Sequence, residues 1–223
     1  MSAPGELPPA LEADFAALRK LRDDDASGAL KEYFGDGTDP REWTYESYGS
    51  REIVTLTDGR VTKLKLHECT KLSTLPVAIG ELGALRELVL DGCSSLVALP
   101  ESIGELGALK DLNLYGCSKL ERLPDAIVGR EGLTVKLPVQ LVKGPLGEDF
   151  AALRKLRDDA SGALKEYFGD GEDPREWKYD APWGQEKCVI VNDGRVTKLS
   201  MRYCSDLAAL PAAIGELGAL TTL

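Results

Sequence analysis

The sequence has 223 residues, 43% of them hydrophobic, and a formal net charge of −10. This acidic balance argues against the broad basic surface with which proteins bind nucleic acid, so we expect no nucleic-acid partner. The sequence contains neither a long apolar run nor a basic and apolar leader, and its five cysteines are an odd number. We therefore expect a cytoplasmic protein without membrane attachment.

Residues 1–60 predict a cap of two helices and a hairpin. The first helix presents three apolar residues on one face, namely Phe15, Leu18 and Leu21. Ser27 is the predicted N-cap of the second helix, and Gly35 is predicted to end it. The Asp58–Gly59 dipeptide then predicts a tight hairpin turn.

Residues 61–137 repeat a single leucine pattern. Its cysteines, Cys69, Cys93 and Cys117, lie 24 residues apart, which is within the period of leucine-rich repeats. Each L-x-L predicts a short strand with inward leucines. The proline late in each repeat opposes helix formation, so the convex side should be irregular. After the third repeat the register changes, and three residues predict a terminal strand: Leu133, Val135 and Leu137.

The cap sequence occurs a second time. Residues 14–34 return at 149–168 with one aspartate fewer, and the DGRVTKL segment at 58–64 returns at 193–199. The second helix and hairpin of this copy have matching signals, namely Ser161, Gly169 and Asp193–Gly194. The chain therefore contains one module twice.

The second module predicts three further segments. A connector at 138–148 leads into a second cap at 149–195, and 196–223 form one repeat and the start of another. Three leucines of the last repeat would be covered by a following repeat, namely Leu217, Leu220 and Leu223. We expect either that the second cap packs on the end of the first array or that such ends associate between chains.

The pattern L-x-x-L-x-L-x-x-C-x-x-L-x-x-L-P resembles the leucine-rich repeats of cytoplasmic plant immune receptors, and the duplicated segment resembles the N-terminal cap of plant-type leucine-rich-repeat proteins. The resemblance implies an α/β repeat fold, a leucine-rich-repeat solenoid with short parallel strands on its concave face. It also implies partner recognition in immune or signalling contexts. Extracellular members carry a cysteine pair near the cap tryptophan, whereas here the second copy has only Cys188.

The sequence contains few residues or motifs that indicate catalysis, metal binding or phosphate binding. His67 is the single histidine and lies on the predicted strand face, so we interpret it as a surface residue. Cysteines 24 residues apart lack the close spacing of zinc ligands, and Cys204 shares their repeat position. The aspartate runs 23–25 and 158–159 are interpreted as solvated helix ends. No phosphate-binding glycine motif occurs. We expect no catalytic residues, cofactor or metal, and hence no enzyme.

The outward strand positions are therefore the candidate binding site for a protein partner. Their charges have both signs, which favours a protein over a uniformly charged polymer. In the first module these positions are Lys63, Lys65, His67, Glu68, Glu87, Val89, Asp91, Asp111, Asn113 and Tyr115. In the second they are Lys198, Ser200, Arg202 and Tyr203.

Two other functions remain open at this point. The chain would be a fragment of a larger leucine-rich-repeat GTPase or kinase if a catalytic domain lay outside these 223 residues. Alternatively it is a structural protein that self-associates through the open C-terminal repeat.

Overall fold

The computed structural model describes residues 7–45, 51–159, 163–182, 184–192, 194–202, 204, 207 and 209–223. The chain forms two compact units, Met1–Leu141 (unit 1) and Val142–Leu223 (unit 2). Each unit begins with one copy of the duplicated sequence segment, and we keep the word cap as a name for that segment. Three positions with sequence-based predictions, Ser161, Asp193 and Tyr203, lie outside the described residues.

The cap of unit 1 contains two helices, α1 (Pro9–Asp23) and α2 (Ala29–Phe34). The predicted apolar face of α1 is fully buried, and Gly35 ends α2 with a φ of 75°. The predicted N-cap was wrong: Gly28, with a φ of 70°, occupies that position. The buried Asp25 carboxylate accepts from the Leu30 N–H at 2.8 Å and also from Ser27, so this aspartate caps α2 instead of being solvated.

Two strand pairs come after the helices. The strands β1 (Thr44–Tyr45) and β2 (Arg51–Glu52) pair antiparallel. The strands β3 (Val54–Thr57) and β4 (Arg60–Lys65) form the predicted hairpin around Asp58 and Gly59. Both turn residues have positive φ, as a hairpin turn of this kind requires.

The repeats extend this hairpin into a five-stranded sheet. The strands β5 (Glu87–Val89), β6 (Asp111–Asn113) and β7 (Thr134–Lys136) follow β4 in order, and all three join in parallel. Leu64, Leu88, Leu112 and Val135 are register partners across the sheet. The sheet is therefore mixed: the repeat strands pair in parallel, and β7 lies inside the segment that was predicted as a terminal strand.

The return side of the first two repeats contains short 3-10 helices at Val77–Glu81 and Glu101–Glu105. Each begins after a proline in extended conformation, Pro76 or Pro100. Between the sheet and these segments the repeat leucines form one core with the inner face of the cap. The return side was predicted to be irregular, whereas in the first two repeats it contains these short 3-10 helices.

Unit 2 repeats the cap architecture. Its helices are α3 (Gly144–Asp159), which begins inside the predicted connector, and α4 (Ala163–Phe168). The strands β8 (Lys178–Ala181) and β9 (Gly184–Lys187) form one antiparallel pair, and β10 (Val189–Asn192) and β11 (Arg195–Leu199) form another. A 3-10 helix at Ala212–Glu216 comes next, and Thr222 forms a parallel bridge to Lys198.

A polar framework that the sequence patterns did not reveal joins helix to strand in both caps. The Asp14 carboxylate accepts from the Arg60 guanidinium at 2.8 Å twice and from the Val61 N–H at 2.9 Å. Asp149 repeats these bonds with Arg195 and the Val196 N–H, all at 2.8 Å. Each aspartate is buried, so these hydrogen bonds compensate the loss of hydration of its charge.

Candidate functional site

The outer side of the parallel sheet in unit 1 is the candidate site, which we call the strand face. Leu64, Leu66 and their counterparts in the next two repeats point into the core and are at most 1% exposed. The alternating residues lie on the opposite side, because successive strand side chains point to opposite faces. They form three rows across the repeats: Lys63, Glu87 and Asp111; Lys65, Val89 and Asn113; His67, Asp91 and Tyr115.

One ion pair and one contact between a histidine and a carboxylate join neighbouring repeats within these rows. The Lys63 ammonium lies 2.7 Å from a Glu87 carboxylate oxygen. The His67 Nδ1 lies 2.5 Å from the Asp91 Oδ1. All four side chains are partly exposed, so these contacts contribute little to stability. The Lys63–Glu87 pair compensates part of the charge of the first two strands within the face.

Three predicted positions differ from the rest in exposure. Val89 is buried, at 5% exposure, although it lies outside the core cluster. It stands between Lys65 and Asn113 in the sheet, and these longer neighbours shield it from both sides. Glu68 is exposed but lies just after the strand with a left-handed φ of 51°. Asp111 is exposed on the strand itself.

The structure adds two residues that the sequence patterns missed. A shallow pocket on the strand face is lined by Glu87, Asp111, Leu112, Asn113, Thr134 and Lys136. Thr134 pairs with Asp111 and Lys136 with Asn113, so β7 extends the first two rows. The sequence could have indicated both residues, because Thr134 and Lys136 alternate with the apolar residues of the predicted terminal strand, which are Leu133, Val135 and Leu137. Among the described residues, Lys65 and Asp111 form no ion pair.

The predicted positions of unit 2 do not form an equivalent surface. Ser200 is buried, at 8% exposure. Lys198 is half-buried, and Arg202 is exposed while its carbonyl accepts from the Tyr167 hydroxyl at 2.5 Å. Within the described part of unit 2, β11 has no parallel neighbour beyond the bridge to Thr222. The described sheet of unit 2 therefore consists of the antiparallel pair β10–β11 with one bridge beside β11.

The repeat cysteines are structural in unit 1. Cys69, Cys93 and Cys117 are free and buried, and the Sγ atoms of the last two donate to the carbonyls of Leu66 and Leu90 at 3.1 Å. Burial raises the pKa of the Cys69 thiol to about 11 and that of Cys117 to about 12. Such thiols have little thiolate character and are poor nucleophiles.

The cysteines of unit 2 differ from each other. Cys188 is buried, and burial raises its pKa to about 12. Cys204 was predicted to be buried like its counterparts, but it is only half-buried. The reason is that no further strand covers it in the described part of the unit. The difference marks the repeat of unit 2 as incompletely enclosed.

Other kinds of site have little support in the described residues. They contain no group of three or more histidine, cysteine, aspartate or glutamate residues arranged to hold a metal ion. None of the helices placed by the structure is both long and apolar enough to cross a membrane.

Similarity to known proteins is limited. No protein-family model matches the chain, and no curated protein matches it. One solved structure to which the chain is similar is the leucine-rich repeat domain of the type III effector XopL, with 30% sequence identity and a TM-score of 0.29. The match covers 36% of this chain and 35% of that chain. The 24-residue period and the parallel strands are features of this chain that resemble leucine-rich repeats.

Proposed function

We propose that the chain is a non-enzymatic recognition module that binds a protein partner on the strand face of unit 1. The observation that carries this proposal is the in-register sheet backed by fully buried leucines. Because the backing is rigid, the outer side chains of neighbouring repeats are held at fixed spacing. A preorganised array of this kind loses little conformational entropy when a partner binds.

The chemistry of the face favours a protein as the partner. Lys65 and Lys136 carry positive charge in one row, whereas Asp111 carries negative charge in the adjacent row. Asn113 and the half-buried Tyr115 add hydrogen-bonding and aromatic surface between them. Mixed charges with an aromatic residue match the irregular charge pattern of a protein surface better than a polyanion. A place in immune recognition or signalling is part of the proposal and rests on the resemblance of the repeat pattern.

The test exchanges charges on the strand face without disturbing the core. We expect the K65E/D111K variant to lose its partner, because both side chains are partly or fully exposed and neither forms an ion pair among the described residues. The control is K119E/E121K, which makes the same charge changes at exposed positions beyond β6. Each substitution should change the free energy of unfolding by no more than about 0.5 kcal/mol.

The measurement is affinity capture from an extract of the source organism with wild type and both variants, quantified by mass spectrometry. A captured protein is then purified and its Kd is determined by titration calorimetry. The proposal predicts at least a tenfold increase in Kd, about 1.4 kcal/mol, for the strand-face variant and no change for the control. Equal capture by all three proteins would place recognition elsewhere.

A further inference from the structure

The shallow pocket on the strand face of unit 1 lies along β6. This strand presents two short side chains to the pocket, Asp111 and Asn113. The strands on either side present longer ones, Glu87 on β5 and Lys136 on β7. The difference in length leaves a cavity of about 210 Å³. One water molecule occupies roughly 30 Å³, so the cavity has room for the ends of a ligand's side chains.

One end of this pocket is acidic. Asp111 is exposed, and its register partner Thr134 adds a hydroxyl group beside the carboxylate. The neighbouring Glu87 carboxylate is engaged by the Lys63 ammonium at 2.7 Å. Asp111 forms no ion pair among the described residues, so its carboxylate is left to accept from a ligand. A carboxylate in this state favours a cationic donor, because charge-assisted hydrogen bonds are the stronger ones.

The other end of the pocket donates hydrogen bonds. Asn113 and Lys136 are register partners on β6 and β7. The Asn113 Oδ1 accepts from the Tyr115 N–H at 3.1 Å, which leaves the amide N–H groups of Asn113 as donors. The Lys136 ammonium is exposed, and the part of the chain that the structure describes offers it no ion pair. Two adjacent donors, one of them charged, favour a carboxylate as ligand.

The distance between the two ends matches the repeat of an extended peptide. Asp111 and Asn113 are alternate residues of one strand, so their Cα atoms lie about 6.6 Å apart. Alternate side chains of any extended segment have this same spacing and point to the same side. A segment that lies along β6 therefore presents one side chain to each end of the pocket.

We propose, on the basis of the function proposed above, that the pocket binds an extended segment of the partner with one basic and one acidic residue at positions i and i+2. The basic side chain pairs with Asp111. The acidic side chain pairs with Lys136 and accepts from the Asn113 amide. A segment whose two charges have the same sign places one of them against a like charge in the pocket and is disfavoured.

The test measures the pocket directly with three peptides and needs no captured partner. The peptides are acetylated and amidated, and each carries Lys-Thr-Glu, Lys-Thr-Lys or Glu-Thr-Glu between two glycines. Amide chemical shifts of the isotope-labelled full chain are followed during titration at low ionic strength, where exposed ion pairs are least screened. Wild type should bind Lys-Thr-Glu about three to five times more tightly than the other two peptides. The largest shifts should occur at residues 111–113 and 134–136.

Two substitutions should change which peptide is preferred. K136E makes both ends of the pocket acidic and should select Lys-Thr-Lys, whereas D111K makes both ends basic and should select Glu-Thr-Glu. The matched controls K119E and E121K make the same changes of charge at exposed positions beyond β6. Both controls should retain the preference of wild type for Lys-Thr-Glu.

Three results would overturn this assignment of the pocket. They are equal Kd values of wild type for the three peptides, no binding up to about 10 mM, or a preference that K136E and D111K leave unchanged. The function proposed above would still stand after such a result if K65E/D111K loses the captured partner. Capture that survives K65E/D111K contradicts that function instead, whatever the peptides show.

Discussion

The two units share a cap but differ in the length of the sheet that continues from it. In unit 1 three parallel strands extend the sheet from β4, and the repeat leucines are fully buried. In the described part of unit 2 one bridge at Thr222 extends the sheet, and side-chain exposure is higher at Leu210 and Leu223. The cap therefore covers one side of the first repeat, and only the next repeat covers the other. Enclosure in this fold depends on neighbours along the stack.

The two caps share several contacts. Arg22 lies over the Trp43 ring at 5.4 Å, and Arg157 lies over Trp177 at 5.3 Å. The indole N–H donates to a glycine carbonyl in each copy, at 3.0 Å in unit 1 and 2.7 Å in unit 2. These contacts of the first cap thus recur in the second cap, which is not followed by three parallel repeat strands in the described residues. Matched substitutions in the two units can separate the contributions of the cap and of the following repeats to the free energy of unfolding.

A charge at the repeat cysteine should give the largest difference between the units. Cys69→Arg places an unpaired charge in an enclosed core and should cost about 4 kcal/mol or more. Cys204→Arg can direct its guanidinium to solvent from the half-buried position and should cost about 1 to 2 kcal/mol. Urea titration combined with hydrogen exchange mass spectrometry reports each unit separately. Equal losses at the two positions would contradict the difference in enclosure.

Removal of the cap aspartate should have the same intermediate effect in both units. Asp14→Ala and Asp149→Ala each leave a buried backbone N–H and a guanidinium without their acceptor. The expected loss is about 2 to 4 kcal/mol. The exposed Asp36 and Asp170 provide matched alanine controls, which should change stability by no more than about 0.5 kcal/mol. Unequal losses for the two buried aspartates would show that the caps are not equivalent, and the same urea titration would detect this.

The Asp149 carboxyl also makes the stability of unit 2 dependent on pH. Burial alone would raise its pKa, but hydrogen bonds from Arg195 and the Val196 N–H outweigh burial and hold the pKa below its ordinary value. The charged form therefore stabilises unit 2 above about pH 4, and this contribution is lost as the pH falls through the lowered pKa. Unfolding of unit 2 measured between about pH 6 and 3 should lose part of this dependence in Asp149→Ala. An unchanged profile in the variant would assign it to other groups.

The smallest effect concerns backbone strain beside the strand face. Glu68 has a φ of 51°, whereas Gly92 and Gly116 occupy the same position of the next repeats with φ of 73° and 69°. Glu68→Gly should therefore stabilise unit 1 by about 0.5 to 1 kcal/mol. Gly92→Ala should destabilise it, because the new Cβ would lie 2.9 Å from the Glu68 Cγ. Thermal unfolding of both variants checks the sign of each change.

Features with a local cause were predictable from the sequence. The L-x-L strands, the apolar face of α1 and the Asp58–Gly59 hairpin result from periodicity and turn chemistry within a few residues. The α2 cap was not predictable, because Ser27 and Asp25 are both suitable acceptors. In the structure Gly28 adopts a left-handed conformation, and the Leu30 N–H donates to the Asp25 carboxylate.

Features that depend on distant neighbours were not predictable in this way. Val89 is buried between two strand partners that lie 24 positions away on either side in the sequence. Cys204 is only half-buried, because no such strand partner covers it among the described residues. The Asp14–Arg60 contact joins residues 46 apart. Its recurrence as Asp149–Arg195 at the same spacing was the available signal, since a duplicated pair of opposite charges suggests a shared contact.

Hydrogen exchange at matched amides of the full chain tests the difference between the units most directly. The Leu66 amide, which donates to Val89 in the next repeat, should exchange at least tenfold more slowly than the Met201 amide. The Val61 and Val196 amides, which donate to the cap aspartates, should both be protected. Equal protection of Leu66 and Met201 at a concentration where the chain is a monomer would contradict the dependence of enclosure on the neighbouring repeat.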